Sequence, residues 1–287
     1  MKMRNNIFLI EALDLRIENF RSEKKRCRVD FSEEAVHDYR VASRRLLSIV
    51  DLLRNLSADK ELKKLHNILK NQLESLNNLR DTQMVLTELL EINDKYPELT
   101  LFRKNLEKME KRFLNCAEKD IREINWNLFS KGFAKIKVTS LQRDDSEEEF
   151  IERLNSIVDE VYGLTLQRKS LIDPLNPSTI HRVRVVFKKF RYMVEIMSPV
   201  LPHYPKINFG IMHDYQAMLG EIQDIEVIIG KIREYSVKHS SSNLDYVIHY
   251  YTQYHQDSIK LFIDKQNSIN TFWREAPGKE FPWNTAE

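Results

Sequence analysis

Apolar residues recur every three or four positions along almost the whole chain, and that spacing limits the fold more than any other feature. Leu99, Phe102, Leu106, Met109 and Phe113 step along one face of a 3.6-residue helix, as do Ile151, Leu154, Ile157, Val158 and Val161. No convincing run of alternating apolar and polar residues lies between turn signals; Val138 to Leu141 comes nearest and is short. Turn-formers are scarce, with six glycines and eight prolines in 287 residues, less than half the average usage of roughly 12%. Sandwiches and barrels need frequent turns, so the chain is predicted to be all-α. Its 42% apolar and 31% charged residues suit a packed core rather than disorder.

Breaks in the pattern outline eight helices, over about 5–25, 33–56, 59–93, 98–127, 147–171, 179–198, 207–238 and 244–272. The fourth continues, bent, to Lys137, and the tail beyond Trp273 is irregular. Ser32 is a candidate N-cap, and Ser146 followed by Glu149 has capping-box spacing. The acidic run from Asp144 to Glu149 opens the fifth helix, where negative charge complements the helix dipole. Cys27 and Cys116 give neither a disulfide framework nor metal spacing. The apolar run Ile7 to Ile10 is too short for a secretory signal, and nothing approaches the ~18 apolar residues of a membrane helix. The chain is therefore expected to be soluble and cytoplasmic, with no membrane partner.

Two segments repeat. Val36-His37-x-x-Arg40-Val41-x-x-Arg44-Arg45 and Ile180-His181-x-x-Arg184-Val185-x-x-Lys188-Lys189 match at an offset of 144. In the next helices, Leu76-Asn77 to Asp81 aligns with Leu219-Gly220 to Asp224 at an offset of 143. Two consecutive helices matching at nearly one offset point to a duplicated four-helix unit. Residues i, i+3 and i+7 fall within about 60° of a helix face. His37, Arg40 and Arg44 thus share a stripe, as do His181, Arg184 and Lys188. Arg191 and Tyr192 extend the second stripe, while Arg45 and Lys189 sit at its shoulder. Five basic residues and no acidic one lie between Ile180 and Tyr192, although the whole chain carries only +2. Such crowding of like charge points to an anion, and two facing stripes suit a long polyanion better than one phosphate. Histidine charges near neutrality, so its contribution should grow as pH falls.

The paired H-x-x-R-V-x-x-[RK]-[RK] helices, each followed by a long helix with an L-[NG]-x-x-x-D end, resemble the CHAD family, the conserved histidine α-helical domain. The resemblance covers nearly the whole chain. It implies two four-helix bundles related by a pseudo-twofold, residues 1–138 and 139–287 together making one domain, with inorganic polyphosphate bound in a basic central cavity. Carried over by position, it implicates His37, Arg40, Arg44 and Arg45, then His181, Arg184, Lys188, Lys189, Arg191 and Tyr192. On the long helices it implicates Lys70, seven residues before Asn77, and His213 with Gln216. Lys63 and His66 share a face with Lys70 and extend the site. Leu47, Asn77 and His213 depart from the family pattern, standing where a basic residue, Gly and Lys are usual. Asp81 and Asp224 are assigned to ion pairing or helix packing. The implied partner is polyphosphate, free or in granules.

Three rivals are weaker. Metal binding by the repeated histidines would want Glu34-x-x-His37 twice, but Ser178 precedes His181. Phosphoryl transfer wants a Gly-rich phosphate loop or metal-holding carboxylates, and neither motif is present, so no catalytic residue and no cofactor are expected. Single-stranded RNA binding wants stacking platforms; Tyr192 alone lies in the basic stripe, and Tyr246, Tyr250, Tyr251 and Tyr254 recur at packing intervals. The duplication predicts superposable halves that break between Gly132 and Ser146. A sheet, or halves of different topology, would refute it.

Overall fold

A computed structural model describes residues 7–57, 59–92, 96–122, 126–139, 146–239 and 244–284. Among them are ten α-helices: α1 (Ile7–Val29), α2 (Glu33–Leu56), α3 (Lys60–Ser75), α4 (Asn77–Ile92), α5 (Leu99–Arg122), α6 (Trp126–Thr139), α7 (Glu147–Ser170), α8 (Pro177–Met197), α9 (Ile207–Lys238) and α10 (Asp245–Lys265). Short 3₁₀ turns follow α8 and α10. No strand occurs among the described residues, as the apolar spacing predicts. Both expected caps form. The Ser32 hydroxyl accepts from the Ala35 amide, and Ser146 and Glu149 exchange two bonds in a capping box. Asp144, Asp145 and the Ser240–Ser242 loop fall outside the described residues.

The third expected helix is not continuous. Buried Leu76, at φ −90° and ψ −5°, separates α3 from α4. The expected fourth helix is likewise α5 and α6, the intervening residues 123–125 lying outside the description, and the last turns of the eighth are 3₁₀. The pairs α1–α2, α2–α3, α4–α5, α7–α8, α8–α9 and α9–α10 pack as neighbours, while α2 also packs on α8 and α4 on α9. Buried apolar residues form two clusters, and neither stops at the expected 138/139 boundary. The larger joins Leu9, Phe20 and Ile49 to Phe187, Phe190 and Tyr215; the smaller joins Val85 and Phe102 to Ile228, Ile232 and Tyr251. Burying each such side chain is worth about 1.5–3 kcal/mol. Cys27 is buried, Cys116 exposed, and both are free. Among the described residues no helix is long and apolar enough to cross a membrane.

The irregular tail is held down by packing and by ion pairs from Arg274 to Asp159 and Glu152. Trp273 and Phe281 meet edge-on at 4.9 Å, and Phe281 stacks on Trp283 at 4.6 Å. Buried Asp159 of α7 accepts hydrogen bonds from Trp273 Nε1 at 2.7 Å and from Arg274 Nε and Nη2 at 2.9 and 2.6 Å. Removing one partner of a buried pair strands the other charge, at a cost of about 3–5 kcal/mol. Glu152, 3.0 Å from Arg274, keeps part of that charge paired, so Asp159→Ala should lower stability to urea by about 2–3 kcal/mol. An unchanged midpoint would show that the tail does not brace the fold.

Candidate functional site

Helices α2, α4, α8 and α9 surround a cavity of about 820 Å³, and α10 adds Tyr254 to its wall. This lies within the range of natural ligand sites. Eleven of the fourteen residues expected from sequence line it: His37, Arg40, Arg44 and Arg45 from α2, His181, Arg184, Lys188, Arg191 and Tyr192 from α8, and His213 and Gln216 from α9. They converge because a stripe at i, i+3 and i+7 stays on one face, and the α2 and α8 stripes both turn toward the cavity.

Three expected residues stand elsewhere. Lys63 and Lys70 are exposed on α3, which lends nothing to the cavity. Lys70 pairs with Glu74 of its own helix at 3.7 Å, and His66 faces Asp51 at 3.4 Å. Of the α3 residues Lys63, His66 and Lys70, none lines the cavity. Lys189 lies at the α2–α8 junction, its Nζ 3.6 Å from Asp51. Arg45 Nε is likewise 3.6 Å from Glu195. The two pairs are reciprocal, since Lys189 and Glu195 each lie 144 positions beyond Arg45 and Asp51. Shoulder cations here join helices, although Arg45 also borders the cavity.

Arg80 was not among the expected contacts, yet it lines the cavity. Its Nη1 and Nη2 donate to the two carboxylate oxygens of Asp224, each at 2.9 Å, and Asp81 lies 3.3 Å away. The assignment of Asp81 and Asp224 to ion pairing thus fits the geometry. The repeat offered the signal: Arg80 aligns with Gln223, the residue that hydrogen-bonds His181 Nδ1. Sequence spacing also hid the opposite wall. Tyr254, expected only to pack, lines the cavity and its hydroxyl donates to Glu221; the buried Tyr251 hydroxyl donates to Glu88 at 3.4 Å. Tyr192 is buried too, with the guanidiniums of Arg45 and Arg191 at 5.8 and 5.9 Å from its ring. It braces arginines rather than presenting a free face.

Pairing decides which cations are available. Seven Arg and Lys side chains and five carboxylates line the cavity, which would leave little excess charge if all were free. But Asp38 is held by Arg26 at 2.6 Å, and Asp224 by Arg80. Arg40, Arg44, Arg184 and Lys188 make no ion pair among the described residues. Arg40 donates to the Leu73 carbonyl and to Asn77 Oδ1, both at 2.8 Å. Its counterpart Arg184 passes Gly220 instead, where a Cβ would stand 3.9 Å from Nη2. The Arg184 Nε is buried with no hydrogen-bond partner. Orphaned donors of this kind mark space for an acceptor.

The electrostatics carry the same message. Burial first, then Arg44 and Arg80, pull Arg40 down to about 9. Burial lowers Arg44 and Arg184 as well. Burial, reinforced by Arg44 and Arg184, takes Lys188 down to about 5. Arg80 moves the other way: burial opposes its charge, but the bonds to Asp224 outweigh it. Among the described residues no group of three His, Cys, Asp or Glu side chains could hold a metal ion.

With this geometry in hand, comparison with known proteins is decisive for the family. The CHAD domain model matches residues 11–233. The chain belongs to the CHAD domain family. A crystal structure of the CHAD domain from the plant Ricinus communis matches with a TM-score of 0.67, over 94% of this chain and 90% of that one, at 15% identity. That likeness is one of fold. No curated protein matches the chain. Within this CHAD domain, residues 11–233 include every cavity-lining residue except Tyr254.

The Lys188 shift has a testable sign. Its folded value is near 5, against about 10.4 in an unfolded chain. Between those values the unfolded state binds more protons, so the stability of the empty protein should rise with pH across that window. Lys188→Met should raise the melting temperature, and by more at pH 6 than at pH 8. Melting curves in phosphate-free buffer check this; equal effects at both pH values would mean that Lys188 is not crowded.

Proposed function

We propose that the cavity binds inorganic polyphosphate without acting on it chemically. The observation that carries this reading is the set of four basic side chains without ion pairs among the described residues, Arg40, Arg44, Arg184 and Lys188, contributed by two neighbouring helices and facing one cavity. An isolated phosphate could satisfy two of them. A chain of phosphates satisfies all four, and the Arg184 Nε in addition, because its oxygens recur along its length. Guanidinium forks suit phosphate oxygens, and bonds between charged partners are shorter and stronger than neutral ones. The duplicated stripes on α2 and α8 support the proposal by lining the two sides of such a chain, with residues 1–138 and 139–287 as the paired halves. RNA is the poorer occupant, since Tyr192 is buried among arginines and offers no stacking platform. Competition between polyphosphate and RNA at matched phosphate and salt separates the two.

Two measurements test the proposal. Neutralising about six phosphates releases their counterions, so affinity should fall about 10³-fold between 50 and 200 mM salt. A nearly flat salt dependence would sink the multivalent cavity. Second, each charge-assisted contact is worth ~1.5–3 kcal/mol, and each 1.4 kcal/mol is a factor of ten. Arg44→Ala with Arg184→Ala should thus weaken polyphosphate binding about 10²-fold or more while the fold melts no earlier. Arg40→Ala should behave differently: it also frees the Leu73 carbonyl and Asn77, so it should lower the melting temperature. If the double variant binds normally, the site assignment is wrong.

A further inference from the structure

Five cations from three helices crowd one side of the cavity, and only one of them can shed its proton. Arg40 and Arg44 of α2, Arg80 of α4 and Arg184 of α8 line the same cavity as Lys188, Arg184 standing one helical turn before it, and all four oppose its charge. A guanidinium keeps its proton in any protein setting, whereas a lysine gives its proton up when buried or crowded by like charge. The nearby carboxylates offer no relief. Asp224 is taken up by both Nη atoms of Arg80, and Asp81 by the same guanidinium. In the empty cavity, Lys188 is therefore an amine with a free lone pair at neutral pH. It faces about 820 Å³ of open space beside guanidiniums without ion pairs.

A neutral amine set among fixed cations is a nucleophile with an anion dock beside it. We propose that Lys188 is a covalent acceptor that forms an imine with small aldehydes carrying a phosphate group, the phosphate resting on Arg44 and Arg184. The Nζ lone pair attacks the carbonyl carbon; a C–N bond forms and the π pair of the C=O bond moves to oxygen. The carbinolamine then loses water. Its oxygen is the former carbonyl oxygen and its two hydrogens are those of the amine, so no oxidant or reductant is needed. Hydrolysis by the same steps releases the aldehyde. A polyanion in the cavity would offset the arginine charges, return Lys188 to an ammonium and cover the dock. Covalent capture and polyphosphate binding then exclude each other; that exclusion rests on the proposed function, and the imine does not.

The experiment treats the full chain at pH 7, in phosphate-free buffer, with a small amount of pyridoxal 5′-phosphate. Borohydride fixes the imines, and mass spectrometry maps them. An ordinary lysine, at about 10.4, has only about one neutral amine in 10³ at this pH. Lys188 should therefore label between tenfold and about 10³-fold faster than exposed lysines such as Lys63. Pyridoxal, which lacks the phosphate, should lose most of this preference. Lys188→Met removes the amine without adding a charge, and should lose the adduct at unchanged helix content by circular dichroism. Labelling spread over surface lysines, with Lys188 no faster than Lys63, overturns the proposal, and equal labelling by pyridoxal overturns the phosphate dock. Saturating polyphosphate should protect Lys188. Full labelling beneath bound polyphosphate would place the polymer outside the cavity, refuting the exclusion while leaving the imine intact.

Discussion

Arg80 and Asp224 meet across α4 and α9 through two hydrogen bonds of 2.9 Å. A carboxylate so close to a cluster of arginines could have neutralised several of them. Held by both nitrogens of one guanidinium, it is largely taken up, and Arg40, Arg44 and Arg184 keep their charge without ion pairs among the described residues. The pair also ties the two central helices together, which sets the separation of the cavity walls. Its strength comes from bidentate geometry and from partial burial, with side-chain exposures of 18% and 29% limiting the access of water.

The two stripes that face the cavity are alike in sequence and unlike in use. Arg40 is anchored to the Leu73 carbonyl and to Asn77, whereas Arg184 runs beside Gly220 with its Nε unpartnered. One residue accounts for the difference: an amide side chain at position 77 gives Arg40 an acceptor that a glycine cannot supply. The first stripe therefore contributes more to the fold, and the second offers more to a ligand. The junction beneath them is reciprocal, with Arg45 on Glu195 and Lys189 on Asp51. A two-way exchange of this kind is what a twofold-related contact produces.

A cavity lined with unpaired cations works against folding. Burial and mutual repulsion depress Arg40, Arg44, Arg184 and Lys188 together. Two apolar clusters and the clasp of Trp273 and Arg274 on Asp159 offset that strain. An anion that fills the cavity stabilises the folded state by mass action and removes the repulsion.

Much of this architecture was legible in the chain. Period-3.6 apolar spacing, few turn-formers and the caps at Ser32 and Ser146 were enough for helices with nearly the observed bounds, because each signal acts within one or two turns. The stripes of His37, Arg40 and Arg44 and of His181, Arg184 and Lys188 were legible for the same reason. The break at Leu76 was not, since a buried leucine carries no turn signal, nor was the position of Lys63, Lys70 and His66 away from the cavity. Nor could spacing show that Arg80 enters the cavity, that Tyr254 lines the opposite wall, or that Lys189 turns to Asp51. By itself the sequence determined which helices form and which face of each carries charge. Tertiary structure alone decided which charges find partners and which stand unpaired, because ion pairing and desolvation depend on distances of a few ångströms between helices far apart in the chain.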